Sequence, residues 1–226
     1  MRFKGYYINL KTRSHMYKAF ETSNTDYIEF EDIKQNIMTH NICKEFACAA
    51  SHTATLTRCL YQRDLPIISN TSNKCDIFMF YRLFRRPASY DPFYFICEDD
   101  FYIIDAEYYK DFLRDFDKIK KSKDWDIILM THFGNNNYIN NDNFMNKNNF
   151  LQNKKNTGTS AYIIKKSFLP YVIAAFDKAI KDFEYNNNNN INIFSFKHYW
   201  HDLQENHNFY IYNRVFAGAR RDMVRG

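Results

Sequence analysis

The sequence predicts an α/β fold with a mostly parallel central sheet flanked by helices. Three observations carry this. Short runs rich in aromatic and β-branched residues alternate along the chain with segments of helical spacing. The 226 residues are 45% hydrophobic and 19% aromatic, enough to fill the core of one domain. One apolar run, Phe93-Tyr-Phe-Ile-Cys-Glu-Asp-Asp-Phe101, ends in three adjacent carboxylates, Glu98, Asp99 and Asp100. Ligands of open α/β sheets bind beyond the carboxyl ends of strands, so this cluster marks the expected site.

The elements follow in order. Residues 5–10 read as a first strand, Lys11 to His15 as a polar turn, and Met16 to Phe20 as the start of a helix. Tyr27 to Phe30 alternates as a short second strand does. Residues 44–62 place Phe46, Ala49, Ala50, Thr53, Leu56, Leu60 and Tyr61 on one helical stripe that also contains Ser51 and His52. Residues 76–84 are apolar without clear periodicity, and Pro87, Ser89 and Pro92 break the chain before the acid-bearing strand. Residues 106–121 form an amphipathic helix with Tyr109, Phe112, Leu113, Phe116 and Ile119 on one face. Trp125 to Met130, Ala161 to Ile164 and Asn208 to Tyr212 are further strands. Ser167 suits a cap and Pro170 the first turn of a helix that runs to about Phe183. Asparagine dominates residues 134–156 and 186–192, which read as loops. No repeat or linker divides the chain, so residues 1–226 read as a single domain.

Composition narrows the function. A formal net charge of +5 is too mild to call for nucleic acid, but it suits a small polyanion such as a nucleotide diphosphate. The basic clusters Arg82/Arg85/Arg86 and Arg220/Arg221/Arg225 read first as solvated faces. Five cysteines, Cys43, Cys48, Cys59, Cys75 and Cys97, give an odd number with no paired zinc spacing. Cys48, Cys59 and Cys97 fit apolar patterns as small core residues, and a reducing, cytoplasmic setting is expected. No run reaches the ~20 apolar residues of a membrane span. With five glycines, none in a Gly-x-Gly-x-x-Gly, phosphate-loop or Gly-x-Ser-x-Gly pattern, dinucleotide binding and the hydrolase elbow are set aside.

Three adjacent carboxylates repel one another and call for a counter-charge. A hard divalent cation with oxygen ligands supplies it. Residues two apart on a strand point to the same side, so Glu98 and Asp100 face one ion together. A solvated turn with a helix cap accounts for the same residues.

Four segments recur in a particular order: Ile8-Asn-Leu10 with Arg13, Cys48-Ala-Ala-Ser-His52, Glu98-Asp-Asp100 and Gly158-Thr-Ser-Ala-Tyr162. Their order and content resemble glycosyltransferase family 25, which includes lipopolysaccharide and collagen galactosyltransferases. Trp125-Asp-Ile-Ile-Leu129 resembles a further family segment. The likeness spans roughly residues 5–170. The segment from Leu65 to Tyr94 is longer than the family's, Phe46-Ala47 stands where a Gly is usual, and the C-terminal region matches poorly.

The resemblance implies a GT-A-type nucleotide-binding sandwich. It implies inverting transfer of a hexose from a nucleotide sugar, first a UDP-hexose, to a hydroxyl acceptor on a glycan or protein, with manganese or magnesium as cofactor. A divalent ion stabilises the charge on the departing diphosphate as a Lewis acid. By the same resemblance Asn9, Leu10 and Arg13 line the nucleotide pocket, with Ser51, His52, Glu98, Asp99, Gly158 and Thr159. Asp100 is the direct metal ligand, with Glu98 and His201 as candidates beside it. Asp202, in His198-Tyr-Trp-His-Asp202, is the candidate base, and Asp126 a competitor whose position at a strand start argues for structure. Two alternatives stay open: a non-catalytic sugar- or nucleotide-binding module, and a metal-dependent nuclease or nucleotidyltransferase.

Overall fold

The structure is a computed structural model that describes residues 3–8, 28–31, 44–61, 93–98, 101–132, 138–139, 144–186 and 197–219. Asn9, Leu10, Arg13, Asp99, Asp100, Cys43, Cys75, both arginine clusters, the turn at Lys11, the helix start at Met16, the 76–84 run and the break after Pro87 lie outside the described residues.

An eight-stranded sheet forms the centre, in the order β2-β1-β3-β8-β5-β9-β7-β6. Its strands are β1 (Phe3–Ile8), β2 (Ile28–Glu31), β3 (Phe93–Glu98), β5 (Ile127–Leu129), β6 (Tyr138–Ile139), β7 (Phe150–Asn153), β8 (Ala161–Lys165) and β9 (Phe209–Tyr212). Strands β4 (Phe101–Ile103) and β10 (Ala217–Ala219) make a separate antiparallel pair. The helices are α1 (Lys44–Tyr61), α2 (Ala106–Ile119), α3 (Phe144–Lys147), α4 (Leu169–Asn186) and α5 (Lys197–Asn206). A 3-10 turn, Lys166–Phe168, leads into α4 where a Ser167 cap was expected.

The α/β class holds, but the sheet is mixed rather than mostly parallel. The pairs β1–β2, β1–β3 and β5–β9 are parallel. The pairs β3–β8, β5–β8, β7–β9 and β6–β7 are antiparallel. Strand β8 enters reversed between β3 and β5. Its pattern could not reveal this, because a strand buried on both faces reads as an unbroken apolar run in either direction. Every residue of β5, β8 and β9 is buried.

Two helical layers cover the sheet. On one face, α1 lies against α4 and α4 against α5. Tyr162 of β8 meets His52 of α1 and Trp200 of α5 there, and Phe176 of α4 touches both of them. On the other face, α2 brings Tyr109, Phe112 and Phe116 against Phe93, Phe150, Tyr212 and Phe216. Helix α2 starts where Asp105 accepts hydrogen bonds from the Glu107 and Tyr108 amides at 2.9 Å. No helix among the described residues is long and apolar enough to cross a membrane.

The first asparagine-rich segment is not all loop. It supplies β6, α3 and β7, and several of its asparagines serve the backbone. Asn149 takes a left-handed φ of 68°, which Asn tolerates better than most side chains. Its Nδ2 donates to the buried Asp115 carboxylate at 2.8 Å, which also receives Tyr212 OH at 2.9 Å and Lys118 Nζ at 2.7 Å. Burial alone would raise the pKa of Asp115, but these three donors outweigh it and hold the carboxyl below the usual range. Asn153 and Asn156 accept from backbone amides two residues on, at Lys155 and Gly158, as Asx turns do.

Candidate functional site

The geometry centres on the Glu98 carboxylate. Strand β3 delivers it to the carboxyl edge of the sheet, where β1 ends alongside with Ile8 paired to Glu98. The Glu98 amide donates to the Ser160 carbonyl at 2.7 Å, which extends the β3–β8 ladder by one step. By strand alternation Glu98 shares the face of Ile96, and α1 covers that face.

Helix α1 contributes Cys48 and His52. Residues four apart on a helix are neighbours on one face, so both reach Glu98. The His52 Nε2 lies 3.4 Å from Glu98 Oε1, and the Cys48 thiol donates to the same oxygen at 3.7 Å. The hydroxyl of Thr159, from the turn before β8, donates to that oxygen at 2.6 Å. The other ring nitrogen of His52, Nδ1, is 2.9 Å from Tyr162 OH. His52 is fully buried, Glu98 is 8% exposed and Cys48 is half-buried. Burial first, then the nearby thiols and Glu98, hold the Tyr162 phenol well above its usual range. It is protonated at neutral pH and available as a fixed hydrogen-bond partner to His52.

The structure thus brings together His52, Glu98 and Thr159, from segments that are 46 and 61 residues apart along the chain. Ser51 is buried beside them on α1, and its carbonyl accepts from Thr55 at 2.8 Å. Gly158 sits at the turn, its amide held by Asn156 Oδ1 at 2.7 Å. The Asn156 amide donates to Gln204 Oε1 at 2.8 Å and its carbonyl accepts from Gln204 Nε2 at 2.7 Å, which ties this turn to α5.

His201 and Asp202 stand on α5 but outside the Glu98 cluster. Asp202 is exposed, and its carbonyl accepts from Asn206 Nδ2 at 2.9 Å. His201 Nε2 is buried with no hydrogen-bond partner among the described residues. Asp126 accepts the Asn208 amide at 3.0 Å and so fixes the start of β9, a structural use.

Cys48 and Tyr162 were missed as site residues, although both fall inside the resembled segments. Cys48 is the residue four before His52 on a helix, a spacing legible in the sequence. Its apolar neighbours Ala49 and Ala50 disguised it as core. Cys48, His52 and Glu98 offer one ligand atom each, all within 4.8 Å of one another, so the three are placed to hold a metal ion.

Two histidines near this edge are held neutral. Burial keeps the pKa of His132 below its ordinary range, against the hydrogen bond its Nε2 makes to the Tyr212 carbonyl at 3.0 Å. Burial, with His198 adding to it, does the same for His201. The unfolded chain takes up these protons near the ordinary histidine pKa of about 6.5, before the folded chain does. Stability from the neutral imidazoles is therefore complete above that pH and is lost as pH falls through the folded pKa values. The urea midpoint is expected to drop as pH falls below about 6.5, and to drop less in His132→Gln. Parallel profiles for the two proteins would contradict this for His132.

No family model matches the chain, and no curated protein matches it.

Proposed function

We propose that the chain is a metal-dependent glycosyltransferase with a GT-A-type nucleotide-binding fold. It transfers a hexose from a nucleotide sugar, first a UDP-hexose, to a hydroxyl acceptor on a glycan or protein. One observation carries this: segments distant in sequence meet at a single carboxylate on the carboxyl edge of the sheet. His52, Glu98 and Thr159 all belong to the resembled segments, and β1, which carries Ile8 of another, ends beside Glu98. Surface decoration gives no reason for such convergence, whereas a ligand site at a sheet edge does.

The chemistry divides among the residues present. Glu98, held by Thr159 and His52, is the first of the three adjacent acids. Asp100, two residues on in the sequence, is the residue to ligate manganese or magnesium. The ion, when bound, neutralises the charge that develops on the departing diphosphate. Asp202 is kept as the candidate base for the acceptor hydroxyl, a role it would have to fill from the exposed face of α5.

A second reading, a sugar- or nucleotide-binding module without turnover, draws on the engagement of Glu98 itself. Its Oε1 meets three side chains of the protein, a use that needs no catalysis. Nucleotide release from a panel of sugar nucleotides, with manganese and with chelator, separates the two. Manganese-dependent release from one donor supports the transferase and identifies the sugar. Binding without release from any donor favours the module.

A further inference from the structure

We propose that Cys48, His52 and Glu98 form a zinc site, distinct in chemistry from the hard-cation site expected at Asp100. The proposal goes beyond the transferase reading and does not depend on it.

Two of the three separations between ligand atoms fit a tetrahedral ion, and the third, between Cys48 and His52, lies within 4.8 Å. Zinc bonds of about 2.0–2.3 Å to nitrogen, oxygen and sulfur place neighbouring ligand atoms about 3.3–3.8 Å apart. The His52 Nε2 to Glu98 Oε1 separation is 3.4 Å, and Cys48 Sγ to Glu98 Oε1 is 3.7 Å. All three ligand atoms lie within 4.8 Å of one another. Helix α1 fixes two of the ligands by their four-residue spacing, and the end of β3 fixes the third.

The surroundings fit as well. A ligating histidine uses its second nitrogen to bond a partner that sets the tautomer, and His52 Nδ1 has Tyr162 OH at 2.9 Å. A ligating carboxylate is itself hydrogen-bonded, and Thr159 does this at 2.6 Å. Without an ion the packing is crowded. Thr159, Cys48 and His52 all converge on one carboxylate oxygen, which offers about two lone pairs. A cation in place of the thiol proton, with the single imidazole proton carried on Nδ1 toward Tyr162 OH, relieves that competition.

Charge and softness select the metal. A thiolate, a neutral imidazole and a carboxylate sum to two negative charges, which a divalent ion balances in a buried pocket. Thiolate favours zinc over magnesium or manganese, which prefer oxygen alone. Binding exchanges the Cys48 thiol proton, released to solvent, for a sulfur–zinc bond. Three protein ligands leave the fourth tetrahedral position to water.

The test uses the full chain, stripped with chelator and titrated with Zn2+ or Co2+. One equivalent of zinc is expected to bind and raise the melting temperature. Cobalt is expected to give the near-ultraviolet thiolate charge-transfer band and the visible bands of a tetrahedral site. Cys48→Ser should lose the charge-transfer band and weaken zinc at least about 10-fold, whereas Cys59→Ala, a core change on the same helix, should keep the band. An assay needing no variant covers a Cys48→Ser protein that fails to fold: alkylation of Cys48 in the wild type, followed by peptide mass, should be slowed by zinc and restored by chelator. No zinc uptake at micromolar metal, an undiminished band in Cys48→Ser, or alkylation of Cys48 indifferent to zinc would overturn the proposal. None of these readouts involves a sugar nucleotide, so failure here and failure of the transferase reading are separable.

Discussion

Asp100→Ala is expected to reduce manganese-dependent nucleotide release by at least about 100-fold, the scale of removing one preorganised group that stabilises transition-state charge. The reason lies in how the neighbouring carboxylate is used. Glu98 is 8% exposed, with its Oε1 engaged by Thr159, Cys48 and His52. The thiol and imidazole beside it suit a softer ion, not the all-oxygen shell that manganese or magnesium prefers. In the proposed transferase the direct ligand role belongs to Asp100, and its loss would leave the leaving-group charge uncompensated. Metal-free nucleotide binding should survive, because the pocket floor at Glu98, His52 and Thr159 is untouched. Release measured with and without manganese on both proteins checks this. An Asp100→Ala protein that keeps wild-type metal-dependent release would show that the ion is held elsewhere.

Phe112→Ala should cost about 3–5 kcal/mol, the range for deleting a fully buried aromatic ring. Phe112 is inaccessible to solvent and is the centre of the aromatic layer under α2. Its ring lies 4.7 Å from Phe216, 5.5 Å from Tyr212, 5.8 Å from Phe116 and 6.0 Å from Phe150, centroid to centroid. These partners come from α2, β7, β9 and the chain before β10, so no one of them can move into the cavity without disturbing another element. Set against a typical total of about 5–15 kcal/mol, the loss is severe. Urea denaturation measures it. A cost below about 1 kcal/mol would mean that the layer repacks freely around the gap, unlike a close-packed core.

The sequence was most legible where one pattern had one structural solution. The 3.6-residue stripe of Tyr109, Phe112, Leu113, Phe116 and Ile119 marked α2, and all but the half-buried Leu113 are buried. The stripe over residues 44–62 marked α1, found at Lys44–Tyr61. Strand direction was not legible, because β8 is buried on both faces and carries no directional signal. The asparagine-rich stretch hid β6, α3 and β7, since composition suggested solvated loops. Asn149 in fact donates to the buried Asp115 carboxylate, and Asn156 to the Thr131 carbonyl. At the site, the resembled segments led to His52, Glu98 and Thr159. Cys48 escaped because an isolated half-buried thiol beside alanines looks like filler until the facing strand is known.

Calorimetric titration of UDP into the wild-type protein, with manganese and then with chelator, tests the central claim most directly. One site with an affinity that falls at least about 10-fold on chelation is the expected result, since an ion held by Asp100 would supply the positive charge that the diphosphate needs. Binding of equal strength with and without manganese, or no binding at all, would contradict it.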